Sequence, residues 1–208
     1  MADYTFYTNP MSRGQIVRWA LHEADADYEQ VLVDFAHKSE AFLKVNPMGK
    51  VPAIVHHADD GDHSVTEGAA ICHYLAEMHP EAGLLPHDDE MADYFRWVFF
   101  AAGPVEQAIS ARTLGFEPPA DKQGFVGFGS FERTIGTLKQ HLGANLFVCG
   151  ERFTMADVYV GSQVDWGLTF GTIPPDPEFV AYADRLRERD AYRAAKAIDN
   201  DLIERMRK

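Results

Sequence analysis

The stretch GKVPAIV, residues 49–55, places a proline inside what otherwise reads as a buried strand. Val51, Ala53, Ile54 and Val55 are apolar or β-branched, as a core strand requires. Proline has no N–H to give to a sheet ladder, so a strand seldom carries one without a reason. Read alone, Pro52 is an edge-strand proline that blocks edge-to-edge pairing.

The flanking segments decide what kind of sheet this strand joins. Upstream, DYTFYT (3–8) alternates and is rich in Tyr, Phe and Thr, so it reads as a strand, which Asn9-Pro10 breaks. From Ser12 to Ala24 the residues Ile16, Val17, Ala20 and Leu21 recur at helical spacing. YEQVLVD (28–34) is a second strand, and a helical turn is expected around 38–45. Downstream, ADDGD (58–62) turns a hairpin, Ser64–Thr66 is a short strand, and GAAICHYLAEM (68–78) is a helix ended by His79-Pro80. The order is β-α-β, then β-β-α. The first half requires a parallel pair joined by a right-handed crossover. The second adds an antiparallel hairpin and a helix, which is the thioredoxin-like arrangement.

EAGLLPHDD (81–89) reads as a linker. After it only helices are expected, over 90–112, 122–142, 154–168, 177–188 and 190–206. The predicted organisation is a thioredoxin-like α/β domain over 1–80, a linker over 81–89 and an all-helical domain over 90–208, with no internal repeat. The chain has 208 residues, 46% of them hydrophobic, which suffices for such cores. Its net charge of −13 repels phosphate backbones and argues against nucleic-acid binding. Cys72 and Cys149 have no metal or C-x-x-C spacing. The N-terminus lacks a basic and an apolar leader region, and no apolar run is long enough for a bilayer, so a cytoplasmic protein is expected.

Four stretches together resemble the cytosolic glutathione transferases over essentially the full length: NPMSRGQIVRWALHE (9–23), NPMGKVPAIV (46–55), TEGAAICHYLAEMHPEAGLLP (66–86) and FTMADVYVGSQVDW (153–166). The resemblance implies a detoxification enzyme and a two-fold homodimer. It also implies that Pro52 is cis and that Val51 offers its N–H and C=O to the cysteinyl part of glutathione, as an added strand would. Thr66-Glu67-Gly68 opens a helix, whose N-terminus suits a carboxylate. The γ-glutamyl end of glutathione would place its carboxylate on the amides near 67–68 and its ammonium on Glu67. Where the family usually has Ser, this chain has Gly68. The lost hydroxyl is worth about 0.5–1.5 kcal/mol of binding. Lys38 and Lys50 are candidates for the glycyl carboxylate.

The chemistry the resemblance implies needs a thiolate. A free thiol titrates near ~8.5, and lowering that by about two units takes roughly 2.7 kcal/mol of preferential thiolate stabilisation. Ser12, just after the first strand, matches the position of the family's serine or cysteine, and its hydroxyl would donate to the sulfur. Tyr7 and Asn9 are the rivals, although the loop after Tyr7 is longer than in the branches that use tyrosine. No cysteine stands at this position, which argues against the branches that form a mixed disulfide. Met11, Phe95, Phe99, Phe100 and Trp166 are candidates for an electrophile pocket between the domains. The expected activity is attack of the thiolate on a small hydrophobic electrophile or a peroxide. The alternatives are a non-catalytic binding protein on the same fold and a glutathione-dependent isomerase or lyase.

Two features read as structure. The run HHADDGDH (56–63) falls at a hairpin tip and lacks metal-ligand spacing. Thr154-Met155-Ala156-Asp157 has the spacing of a capping box, with Asp in place of the usual Glu or Gln.

Overall fold

A computed structural model describes residues 2–207. It divides into two compact units, one running to Leu85 and joined by the segment from Glu188, the other Pro86–Arg187.

The first unit holds β1 (Tyr4–Thr8), α1 (Gly14–Glu23), β2 (Tyr28–Leu32), α2 (Glu40–Val45), β3 (Ala53–Ala58), β4 (Gly61–Thr66) and α3 (Gly68–Met78). The strands form one sheet in the order β2-β1-β3-β4, with β1 and β2 parallel and the other neighbours antiparallel. This is the expected thioredoxin-like layout. Alternation along β1 buries Tyr4, Phe6 and Thr8. Ala58 pairs with Gly61, so Asp59-Asp60 is a two-residue hairpin turn, and β4 begins earlier than Ser64 because that tight turn lets pairing start at once. Ile71, Cys72, Leu75 and Ala76 bury one stripe of α3, and burial holds the Cys72 thiol far above its ordinary range. Cys72 is a core residue.

At the start of α1 a glycine is required by space. A Cβ on Gly14 would lie 2.0 Å from Thr8 Oγ1, itself buried without a hydrogen-bond partner among the described residues. Gly14→Ala is expected to push the helix off β1 and cost about 1–2 kcal/mol, read as a lower urea midpoint with an unchanged slope.

The second unit is helical: α4 (Met91–Phe100), α5 (Glu106–Thr113), α6 (Phe131–Ala144), α7 (Met155–Phe170) and α8 (Pro177–Arg187). The single helix expected over 90–112 is interrupted by a π-helical turn, Ala101–Val105, around Pro104. Proline lacks the N–H that an α-helical turn needs, and the wider turn accommodates the gap. The helix expected from 122 begins at Phe131. Before it, Ala120–Phe125 is 3-10, Gly129 takes a φ of 64°, and Ser130 Oγ caps the new helix by accepting from Arg133 N–H.

One further helix, α9 (Asp190–Met206), was expected among the helices after the linker but packs on α1 in the first unit. Tyr192 meets Trp19 edge-on at 5.1 Å, and Arg189 forks onto both oxygens of Glu23 at 2.6 Å. Arg18 donates to Asp199 at 2.8 Å, with both side chains 1% exposed, and its guanidinium lies near the Phe6 and Tyr28 rings. No helix among the described residues is long and apolar enough to cross a membrane.

Candidate functional site

The register brings three separated segments to one end of the sheet. Tyr7 of β1 pairs with Ala53 of β3, and Ala53 pairs with Thr66 of β4. The loop 9–12 that follows β1, the Val51-Pro52 peptide before β3 and the Glu67-Gly68 mouth of α3 therefore emerge side by side. This juxtaposition comes from strand pairing and is independent of any loop conformation.

The loop 9–12 is tightly bonded. Asn9 donates its side-chain amide to the Val33 carbonyl at 3.1 Å and accepts the Met11 N–H at 3.0 Å. Ser12 is half-buried, donates its hydroxyl proton to the Asn9 carbonyl at 2.6 Å and accepts the Gly14 N–H at 3.0 Å. Its single proton already has an acceptor. Tyr7 stacks on Phe42 with ring centroids 5.4 Å apart and joins a small cluster with Val33, Val45, Val51 and Ala53. The Tyr7 hydroxyl makes no hydrogen bond among the described residues. The three thiol-donor candidates thus stand differently: Asn9 braces the loop, Ser12 is engaged but exchangeable, and Tyr7 is uncommitted.

The Val51–Pro52 peptide bond is cis. The turn before it is held by Asn46, which donates to the Lys50 carbonyl at 2.7 Å and accepts the Met48 N–H at 3.1 Å. Lys38 lies over Gly49, with its Nζ 3.4 Å from where a Cβ there would stand. Lys38 and Lys50 are exposed and form no ion pair among the described residues.

Glu67 has a φ of 67° and ψ of 115°, in a region that L side chains rarely adopt. Its carbonyl accepts the Ile71 N–H at 2.9 Å and begins the ladder of α3, while its exposed carboxylate has no partner among the described residues. Such backbone costs about 1–3 kcal/mol and clusters where function requires it. No local sequence signal marked this, since glutamate has no preference for positive φ. Glu67→Gly is expected to leave stability unchanged or raise it by about 1 kcal/mol, relief of strain outweighing the entropy of an added glycine. The same change is expected to weaken glutathione binding roughly tenfold by removing an ammonium acceptor. Paired thermal-shift and calorimetric titrations read both effects.

The aromatic candidates are more dispersed. Phe99 is 69% exposed on α4, Phe100 meets Trp97 edge-on at 5.2 Å, and Trp166 on α7 meets Phe170 at 5.4 Å. No ring contact joins Trp166 to Phe99 or Phe100 among the described residues. Phe95 contacts Tyr94 at 5.3 Å, and Met11, in loop 9–12, is exposed. Among the described residues no group of three or more His, Cys, Asp or Glu side chains could hold a metal ion. In the hairpin the histidines pair off separately, His57 with Asp62 and His63 with Asp60.

Residues 2–77 match the family model described as "Glutathione S-transferase, N-terminal domain". The chain is 31% identical over 174 residues to glutathione S-transferase 3 of Zea mays, spanning 76% of this chain and 75% of that protein. Elongation factor 1-gamma 3 of Oryza sativa subsp. japonica is 28% identical over 64% of this chain, which spans only 32% of its length. A solved sphingomonad glutathione S-transferase, complexed with glutathione, superposes with a TM-score of 0.74 at 28% identity, covering 94% of this chain and 98% of that one. The sheet layout, the convergence of three segments at one sheet end and these likenesses lead to one conclusion: the chain belongs to the glutathione S-transferase family.

Proposed function

We propose that the protein is a glutathione transferase that holds the sulfur of glutathione as a thiolate, for attack on a small hydrophobic electrophile or a peroxide. The observation that carries this reading is Glu67, a strained residue presenting an unpartnered carboxylate at a helix mouth. In this reading the γ-glutamyl carboxylate takes the amide N–H groups at 67–68, and the ammonium takes Glu67. Val51 offers its backbone to the cysteinyl unit. Lys38 and Lys50 supply cations for the glycyl carboxylate on an otherwise acidic chain. Ser12 turns its hydroxyl from the Asn9 carbonyl to the sulfur. Phe99, exposed on its helix, is the most exposed of the candidate aromatics and would meet an apolar electrophile. A two-fold homodimer in the cytoplasm accompanies this reading, and sedimentation velocity decides the oligomeric state.

Titration of glutathione into the protein tests the proposal. The expected result is an ultraviolet thiolate band at neutral pH and a raised melting temperature. A second reading, a non-catalytic binding protein, is favoured by Gly68, by the committed proton of Ser12 and by the likeness to elongation factor 1-gamma. Absence of both the band and the thermal shift selects it.

A further inference from the structure

The loop that carries Ser12 is tied from outside by the C-terminal helix. Gln15, in the first turn of α1, donates through Nε2 to the Pro10 carbonyl at 2.5 Å and accepts through Oε1 from Lys196 Nζ on α9 at 2.7 Å. Lys196 is half-buried, with its ammonium 5.7 Å from the Tyr192 ring. The ammonium has only donors, so it settles which end of the Gln15 amide faces it. With the oxygen on Lys196, the NH₂ group must face Pro10. Reversal would set NH₂ against the ammonium and oxygen against the carbonyl. Pro10 sits between Asn9, whose carbonyl holds the Ser12 proton, and Met11, whose N–H is held by Asn9. Loop 9–12 is therefore fixed at two outside points, the Val33 carbonyl through Asn9 and α9 through Gln15. One turn further along, the buried Arg18–Asp199 pair keeps α9 from sliding away.

We propose that Gln15 and Lys196 are positioning residues for the thiol site: α9 sets the direction of the Ser12 hydroxyl through the Lys196–Gln15–Pro10 relay. The inference rests on the reading of this loop as the place where the glutathione sulfur is held.

Gln15→Glu separates positioning from packing. A carboxylate still accepts from Lys196, now as an ion pair, so α9 stays docked and the melting temperature is preserved. The same carboxylate cannot donate to Pro10 and sets oxygen against oxygen. The expected result is a higher pKa of enzyme-bound glutathione and a kcat lowered roughly two- to tenfold, with little change in the KM for glutathione. Lys196→Met is expected to act in the same direction with smaller effect, and Lys196→Arg to restore wild-type behaviour. Amide hydrogen exchange at Met11 and Gly14 in glutathione-free protein, expected to be faster in Gln15→Glu, supplies a readout that needs no thiolate. If the wild type shows the thiolate band and Gln15→Glu leaves the thiol pKa and kcat unchanged, the proposal is overturned. A fall in melting temperature that parallels the loss of kcat also overturns it, since the role is then only structural. If the wild type shows no band, the thiol reading itself has failed, and unchanged exchange would sink the relay as well, whereas faster exchange upholds it as a support of the loop.

Discussion

Asp157→Asn lowers the stability of the chain by about 3–5 kcal/mol, read as a fall in urea midpoint at neutral pH with an unchanged slope. The carboxylate lies fully buried at the start of α7, where it closes the capping box on Thr154. One oxygen accepts the Val148 N–H at 2.7 Å and the Tyr182 hydroxyl at 2.8 Å. The other accepts the Thr154 N–H at 2.9 Å and its hydroxyl at 3.3 Å. One side chain thus ties the helix start, the segment before it and α8. Asparagine replaces an oxygen with NH₂, so in either orientation donors face donors. Each buried donor left without an acceptor costs about 1–3 kcal/mol.

The pH dependence has a definite sign. Burial pushes the Asp157 carboxyl up from 3.8 to about 6, and the four donors restrain the rise. A folded value above the unfolded one means that the proton favours the folded state. The contribution of this group is therefore full below about 4 and is lost as pH rises through about 6. The gap between wild type and Asp157→Asn should widen on acidification toward pH ~4. His22, His56 and His141 act oppositely: burial lowers each, so their contribution is lost as pH falls below the ordinary value of 6.5. The difference between wild type and variant, taken at each pH, cancels them and isolates Asp157.

This capping box was legible because all its parts lie within four residues. The same locality explains the sheet: alternation in Tyr4–Thr8, the turn chemistry around Asp59-Asp60 and the apolar stripe of α3 are each written in one short stretch. What was illegible depends on distant partners. Gln15, Arg18 and Glu23 share a face of α1, but their partners Lys196, Asp199 and Arg189 lie 166–181 residues away, so nothing near them announces that α9 returns to the first unit. Glu67 gave no sign of its positive φ, because the pairing of β3 with β4 and the start of α3 impose it from both sides. The start of α6 was misread for a local reason. The run GFVGFGSF (124–131) has apolar spacing compatible with a helix, and the Gly129-Ser130 stop-and-cap overrides it. Ser12 lies between the end of β1 at Thr8 and the start of α1 at Gly14, a position that its place in the chain already implies. That its proton is already given to Asn9 follows only from the folded loop.

That engaged proton sets the size of the second large effect, the loss expected in Ser12→Ala. A hydrogen bond to a charged group is worth about 1.5–3 kcal/mol, and surrendering the Asn9 carbonyl takes back part of it. A net of about 2 kcal/mol corresponds to roughly a thirtyfold fall in kcat/KM at neutral pH. The same energy raises the bound thiol pKa by about 1.5 units, so the deficit should shrink as pH approaches ~8.5, where glutathione ionises unaided. A deficit that persists at alkaline pH would point instead to a misplaced loop. Ser12 also accepts the Gly14 N–H, so the variant should lose about 1 kcal/mol of stability, and its activity must be measured well below its melting transition. Tyr7→Phe is the decisive companion. Its hydroxyl has no hydrogen bond to lose among the described residues, so stability should hold. If Tyr7→Phe raises the thiol pKa while Ser12→Ala leaves it alone, the donor is the tyrosine, whose ring already packs in one cluster with Val51 at the same end of the sheet.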